Sequence, residues 1–292
     1  MSFNHYHLVT HTNLHCGSGQ SVGIVDQPII RERATNLPIV PGATLRGVLR
    51  AHLSTAHLST DSKENDVTNV LFGRPAQGGA ENFSGALSLT DAHLLILPVR
   101  SLYGIVAYAT CPFILKRYKK ELNEKSIDIP PKSADKACIG VSNKNVAADK
   151  VVFEELDIDA VQSQEAQQWA VKISETVYAN DQSAQKDFQE HFVILPDDVF
   201  AYLAETATEV RTRIRMNPET GVVDDGALWT EENLPAESVL WGSYSFNKST
   251  NRYKSEHADE FKGNTIAALL QMGGNAGVGS GLVQMVIEEG ES

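Results

Sequence analysis

The sequence predicts an α+β fold, a ferredoxin-like or RRM-like unit with two helices on one face of an antiparallel sheet. Three observations lead there. Short β-like runs alternate with stretches of helical spacing. The chain has β-like runs near both ends, YHLVTHTNL at residues 6–14 and LVQMVI at residues 282–287. Two polar stretches, approximately 54–84 and 118–150, have weak periodicity and read as insertions decorating a single domain that spans residues 1–292.

Taken in order, residues 6–14 form a first strand. CGSGQSVG is a loop containing Gly17, Gly19 and Gly23. Residues 25–33 are extended, because Pro28 opposes a helix. Residues 35–38 and 39–42 each end in a turn. From Ala43, with Thr44 as the cap, Leu45, Val48, Leu49, His52 and Leu53 fall at helical spacing. The tandem AHLST pair at 51–60 is too short to be a structural repeat. Residues 85–97 are strand-like, and residues 102–110 suit a helix or a strand equally. VVFEELDIDA reads as a strand. Residues 163–178 and 197–208 read as helices, the second capped by Asp197 or Asp198. Arg211, Arg213 and Arg215 alternate with Thr212, Ile214 and Met216, which places the arginines on one face of a strand. NPETG then turns the chain, so a β-hairpin is expected at approximately 209–228. Residues 239–246 form another strand and residues 263–271 a short helix. The glycine loop MGGNAGVGSG leads into the last strand.

Composition narrows the function classes. No apolar run approaches the roughly 20 residues of a membrane span, so no membrane partner is expected. The first residues carry neither a basic nor an apolar signal region. Three scattered cysteines without a CxxC pair argue against a zinc site and for a reducing, cytoplasmic setting. The net charge of −12 opposes nucleic-acid binding only as a sum. Residues 1–117 hold nine basic and seven acidic side chains, and the acid lies in the remainder. Such a mildly basic N-terminal part suits a subunit that shares its affinity for a polyanion with neighbours.

Candidate chemistry gathers around Asp26, which follows the glycine turn and precedes Arg31 and Arg33. Attack of an RNA 2′-hydroxyl on its neighbouring phosphate needs in-line geometry and stabilisation of developing charge. One carboxylate can hold a divalent metal on the phosphate or act as a base. The competing reading is a turn-capping aspartate. His15, beside the same loop, can transfer a proton or orient a phosphate, or can end a strand with a satisfied hydrogen bond. Glu231 and Glu232 offer a second metal ligand or a solvated acidic turn. Arg46 and Arg50, four residues apart near a helix start, suit phosphate oxygens; surface salt bridges are the alternative. Arg31 and Arg33 are weaker candidates because Glu32 lies between them. Gly273, Gly274, Asn275, Gly277 and Gly279 belong to a loop that can follow a sugar–phosphate backbone closely, or that simply turns tightly. It lacks the GK[ST] of a nucleotide-hydrolysing loop. In the hairpin, Ile214 and Met216 can act as an apolar wedge between bases. Arg213 and Arg215 can grip the flanking strands, or pair with Asp224 and Asp225. Asp91 and Arg100, embedded in apolar sequence, are expected to pair or to meet another subunit.

Several blocks together resemble the RAMP-superfamily backbone subunit of type III-B (Cmr-type) CRISPR RNA-guided effector complexes. They are GxVDxPIIRExxTxLPxVPGxxLRGxLR at 23–50, LFG at 71–73, LTDAHLLILPVRSLYG at 89–104, ATCPFILKR at 109–117, RTRIRMNPETGVVDDGALWTEE at 211–232 and MGGNAGVGSGLV at 272–283. The resemblance implies a modified RRM-like palm with inserted finger regions and a thumb hairpin. It implies copies stacked in a filament on a guide CRISPR RNA beside other subunits. It further implies metal-dependent cutting of complementary target RNA at regular intervals, with Mg2+ or Mn2+ as the metal and Asp26 at the cleavage position. Two alternatives stand beside this reading. One is a guide-binding scaffold with a silent Asp26. The other is a standalone processing endoribonuclease, for which His15 alone is thin support.

Overall fold

The computed structural model describes residues 3–19, 25–56, 67–74, 83–130, 135–153, 156–250, 252–266 and 268–287. Its elements in chain order are β1 (Asn4–Thr10), β2 (Ile39–Val40), α1 (Gly42–Ala56), α2 (Val67–Phe72), β3 (Leu87–Leu89), β4 (Ala92–Arg100), β5 (Val106–Thr110), α3 (Pro112–Glu121), β6 (Ala137–Ile139), β7 (Val146–Ala147), β8 (Lys150–Phe153), β9 (Leu156–Gln162), α4 (Gln164–Val177), α5 (Gln182–His191), β10 (Phe192–Ile194), α6 (Asp197–Thr206), β11 (Glu209–Met216), β12 (Val223–Asn233), β13 (Val239–Phe246), α7 (Ser255–Thr265), β14 (Ala268–Gln271) and β15 (Leu282–Ile287).

In β1, Tyr6 and Leu8 alternate with His7 and Val9, and all four are buried. A strand with both sides buried must be covered on both faces. The four central strands lie in the order β15-β1-β13-β4, all antiparallel. With α1 between β1 and β4, and α7 between β13 and β15, this is the ferredoxin-like arrangement predicted. Helix α1 buries Leu45, Leu49 and Leu53 at helical spacing. It meets α7 through His52 Nε2 and the Asn264 carbonyl, 3.1 Å apart. On the opposite face, Tyr118 of α3 packs edge-on against His7 and Trp241.

The structure departs from the sequence expectations in instructive ways. The sheet is larger and mixed: among the described residues it has thirteen strands, with parallel pairs β5–β10 and β6–β9. The stretch at 118–150 contributes β6 and β7 to it, and α1 and α2 reach into 54–84. Residues 57–66 and 75–82 lie outside the described residues. The helix expected at 263–271 ends at Thr265, and residues 268–271 form β14 instead. Pairing of Leu270 with Val283 and Ala268 with Met285 outweighs the local pattern. Residues 102–110 resolve into a turn and β5. Helix α6 begins after Pro196, and Asp197 Oδ1 accepts from the Phe113 N–H rather than capping its own helix. Asp91 does not pair with Arg100: its Oδ1 accepts the Gly42 N–H (2.8 Å), capping α1 from outside, while Arg100 is exposed. No described helix is long and apolar enough to cross a membrane.

Two predictions follow from the packing of β1. A Cβ at Gly242 would collide with the Tyr6 phenol, which is fixed by its hydrogen bond to the Thr90 carbonyl. Gly242→Ala is therefore expected to destabilise the protein by about 1–3 kcal/mol, read from urea unfolding. His7 is fully buried; burial, with the charges of His5 and Lys172, pushes its pKa down from 6.5 to about 3. Between those values the unfolded chain binds a proton that the folded chain refuses, so this residue makes stability fall as pH falls from 6.5 to about 3. His7→Gln, which keeps a polar partner for Tyr118, should flatten the dependence of the urea midpoint on pH. An unchanged slope would refute the assignment.

Candidate active site

Strand β12 ends in Thr230, Glu231, Glu232 and Asn233. Side chains alternate along a strand, so Thr230 and Glu232 face one way and Glu231 the other. Thr230 and Glu232 hold residues 26–31, and Glu231 holds the glycine loop through Asn275. Residues 25–27 run beside β12: the Gln27 N–H donates to the Thr230 carbonyl, and the Glu232 N–H donates to the Gln27 carbonyl, both at 3.0 Å.

Asp26 is exposed on this edge. Its Oδ2 accepts from the Thr230 backbone N–H (2.8 Å) and from the Thr230 hydroxyl (2.9 Å). The Asp26 N–H in turn donates to the same hydroxyl oxygen (3.0 Å). These bonds to the ionised form, the backbone one first, hold the Asp26 carboxyl below the ordinary carboxylate range. Both contacts use Oδ2, so Oδ1 is not occupied by Thr230. The aspartate binds a strand 204 residues away, while residues 20–24 of the glycine turn before it lie outside the described residues.

The two glutamates are buried, 2% and 6% exposed, which rules out the solvated acidic turn, one of the two readings open for them. Glu232 accepts from the Ile29 N–H (3.0 Å), Arg31 (2.5 Å) and the Thr208 hydroxyl (2.9 Å). Glu231 accepts from Arg213 Nε (2.8 Å) and Asn275 Nδ2 (2.6 Å). Burial pushes its carboxyl up, but hydrogen bonds from Arg213 and Asn275, with the charges of Arg213 and His15, outweigh that and leave it lowered. All four oxygens are engaged, so neither glutamate offers a spare metal ligand. Among the described residues, no cluster of three or more His, Cys, Asp or Glu side chains could hold a metal.

His15, in the segment after β1, reaches the same end of β12. Its Nδ1 lies 2.7 Å from the Glu232 carbonyl, which can only accept, so Nδ1 carries the proton. Nε2 is then the nitrogen available to take one. The glycine loop docks on the same residue, through the Gly274 N–H and the His15 carbonyl (2.9 Å). Gly273, at φ +75°, has no room for a Cβ because the His15 carbonyl lies against it. Gly277 faces open space and has no left-handed φ, so nothing within the chain demands glycine there.

The structure thus brings together Asp26, His15, Gly273, Gly274, Asn275 and Arg213. Gly279 belongs to the same exposed loop. Arg46 and Arg50 have no described contact with this group. Arg46 donates to the Phe72 carbonyl at the end of α2 (2.7 Å) and lies over the Phe72 ring, while Arg50 reaches Asn69 (3.5 Å). Arg31 is taken up by Glu232, and Glu32 by Arg117. Farther out, Arg215 pairs with Asp224 (2.9 Å). Ile214 and Met216 are each 50% exposed, joined by Val222, Val223 and Leu228. Sequence reasoning passed over Thr230, whose only signal was its place at the hairpin base beside two acids.

A model of the RAMP superfamily matches residues 7–284. A Pyrococcus furiosus protein, the CRISPR system Cmr endoribonuclease Cmr4, is 35% identical over 289 residues, covering 97% of this chain and 94% of that one. Among solved structures, oligomeric Cmr4 from Pyrococcus furiosus superposes with a TM-score of 0.77 at 29% identity over the full length of both chains. A chain of the type III-B Cmr-beta complex bound to cognate target RNA gives 0.74 at 17% identity, over 98% of this chain and 97% of that one, which shows the shared fold. On the agreement of sequence and fold over nearly its whole length, the chain belongs to the RAMP superfamily.

Proposed function

We propose that this chain is a repeated backbone subunit of a type III-B CRISPR effector complex, one that holds guide RNA and cuts complementary target RNA. The observation that carries the reading is the exposed Asp26 carboxylate, fixed by Thr230 at the root of a hairpin with exposed apolar residues. Identity of 35% to a Cmr endoribonuclease, over an alignment covering 97% of the chain, supports it. A cytoplasmic setting for such an assembly is in keeping with three buried cysteines that form no disulfide.

In this reading guide and target are handled by different residues. Arg46 and Arg50 each spend one nitrogen on α2, leaving further guanidinium donors for guide phosphates. The loop containing Gly273, Gly274, Asn275, Gly277 and Gly279 lets the guide backbone approach closely. Phosphate contacts of this kind position an RNA without reading its sequence, as a variable guide requires. Ile214 and Met216, with their exposed neighbours, wedge a base pair apart, and Arg213 and Arg215 flank the opening. The loosened target backbone then reaches in-line geometry beside Asp26, with His15 Nε2 placed to accept a proton.

A lone carboxylate fits a divalent ion of the Mg2+ type, which takes one or two carboxylates and completes its shell with water and phosphate. Asp26 is the residue to hold it, and when bound the ion would neutralise charge developing on the phosphate.

The test is reconstitution of the complex on a guide, with complementary RNA and either Mg2+ or EDTA. Regularly spaced products are expected with Mg2+ alone. Asp26→Asn should lower their rate by roughly 10²–10⁴-fold while target binding is retained. Full cutting by that variant would sink the proposal, and target binding without products in the unmodified complex would select a silent scaffold. Deleting residues 214–223 should reduce cleavage far more than it lowers the thermal midpoint. Unchanged cleavage would remove the wedge role.

A further inference from the structure

Asp26 is an exposed side chain, and an exposed aspartate ordinarily samples several rotamers. Here its Oδ2 is held from two directions by one residue, the N–H and the hydroxyl of Thr230, while the Asp26 N–H closes the ring back onto that hydroxyl. Thr230 is β-branched, and its χ1 freedom is small. It sits on β12 opposite Thr212 of β11, at the base of the hairpin. Its neighbours Glu231 and Glu232 are buried and anchored, so the strand that presents it is itself fixed.

We infer that Thr230 is a positioning residue for target cleavage: its hydroxyl fixes the Asp26 carboxylate so that Oδ1 is presented to the scissile phosphate, and it ties that carboxylate to the hairpin strand. The inference rests on the cleavage role of Asp26. It assigns to one hydroxyl the pre-organisation that an exposed carboxylate lacks, since a small misplacement of a reacting group costs rate rather than affinity. Thr230→Val keeps the side-chain shape and the backbone N–H but removes two of the three hydrogen bonds. Thr230→Ser keeps all three.

The experiment compares complexes assembled on one guide with unmodified chain, Thr230→Val, Thr230→Ser and Asp26→Asn. Thr230→Val should lower kcat for target cleavage by about 10–100-fold with KM and target affinity unchanged, and Thr230→Ser should restore most of the rate. In the free protein, hydrogen exchange at the Asp26 amide should quicken in Thr230→Val and return to normal in Thr230→Ser, which reads the contact without any activity. Wild-type cutting by Thr230→Val, in a series where Asp26→Asn is inactive, would overturn the inference. Equal slowing by Val and Ser with a lowered thermal midpoint would overturn it too, marking Thr230 as structural only. Full cutting by Asp26→Asn would instead overturn the cleavage reading itself, and it shows in a different variant.

Discussion

Two consecutive buried carboxylates hold the candidate site together. Glu231 and Glu232 lie at 2% and 6% exposure at the base of the hairpin. A buried charge is tolerated only when paired and hydrogen-bonded, and breaking such a pair by removing one partner costs about 3–5 kcal/mol. Each glutamate meets that condition by recruiting chain from far away: Arg31 and the Ile29 N–H for one, Arg213 and Asn275 for the other. Strand alternation sends them to opposite sides, so one strand clamps the Asp26 segment on one face and the glycine loop on the other. A two-stranded hairpin is marginal in isolation. This one is rooted by charges whose desolvation would be prohibitive if they let go.

That arrangement also separates the acids by role. Glu231 and Glu232 have every oxygen engaged and are closed to solvent. Asp26 has one oxygen engaged by Thr230 and stands in solvent, ionised more readily than an ordinary aspartate. Three carboxylates near one strand end therefore divide into two that build and one that stands exposed, the one to which the proposed function gives the chemistry. The division follows from burial and hydrogen bonding alone. It explains why Asp26 can be solitary without being weak: the clamp supplies rigidity, and the carboxylate need supply only charge.

Much of this is legible in the sequence. Leu45, Leu49 and Leu53 marked α1, the alternation around Arg211–Arg215 marked the hairpin, and Asp26 stood out beside its glycines. What escaped reading shares one physical cause, pairing between residues distant in sequence. Thr230 meets Asp26 across 204 positions. Glu231 and Glu232 read locally as a solvated turn because nothing nearby predicts that residues 25–31 and Asn275 fold over them. Residues 268–271 carry helical composition, yet β15 captures them as a strand. Arg46 and the LFG motif were read apart, although the arginine grips the Phe72 carbonyl and covers its ring. Gly73, at φ +82°, ends α2 at that point, so two separate sequence signals are halves of one contact.

The same long-range pairing gives the hairpin and the carboxylate a common frame. The exposed apolar residues proposed as the wedge, Ile214 and Met216, lie on β11, and the partner that fixes Asp26 lies on β12. The two strands are in continuous register from Glu209 with Asn233 to Ile214 with Leu228. Backbone hydrogen bonds along that stretch resist shear, so Ile214 and the Asp26 carboxylate hold a fixed separation along the ribbon, and the register shifts only between Ile214 and Met216. On the proposed reading, the hairpin and the reacting carboxylate would enter a duplex as one piece, and the spacing between them, rather than a base sequence, would set where the strand is cut.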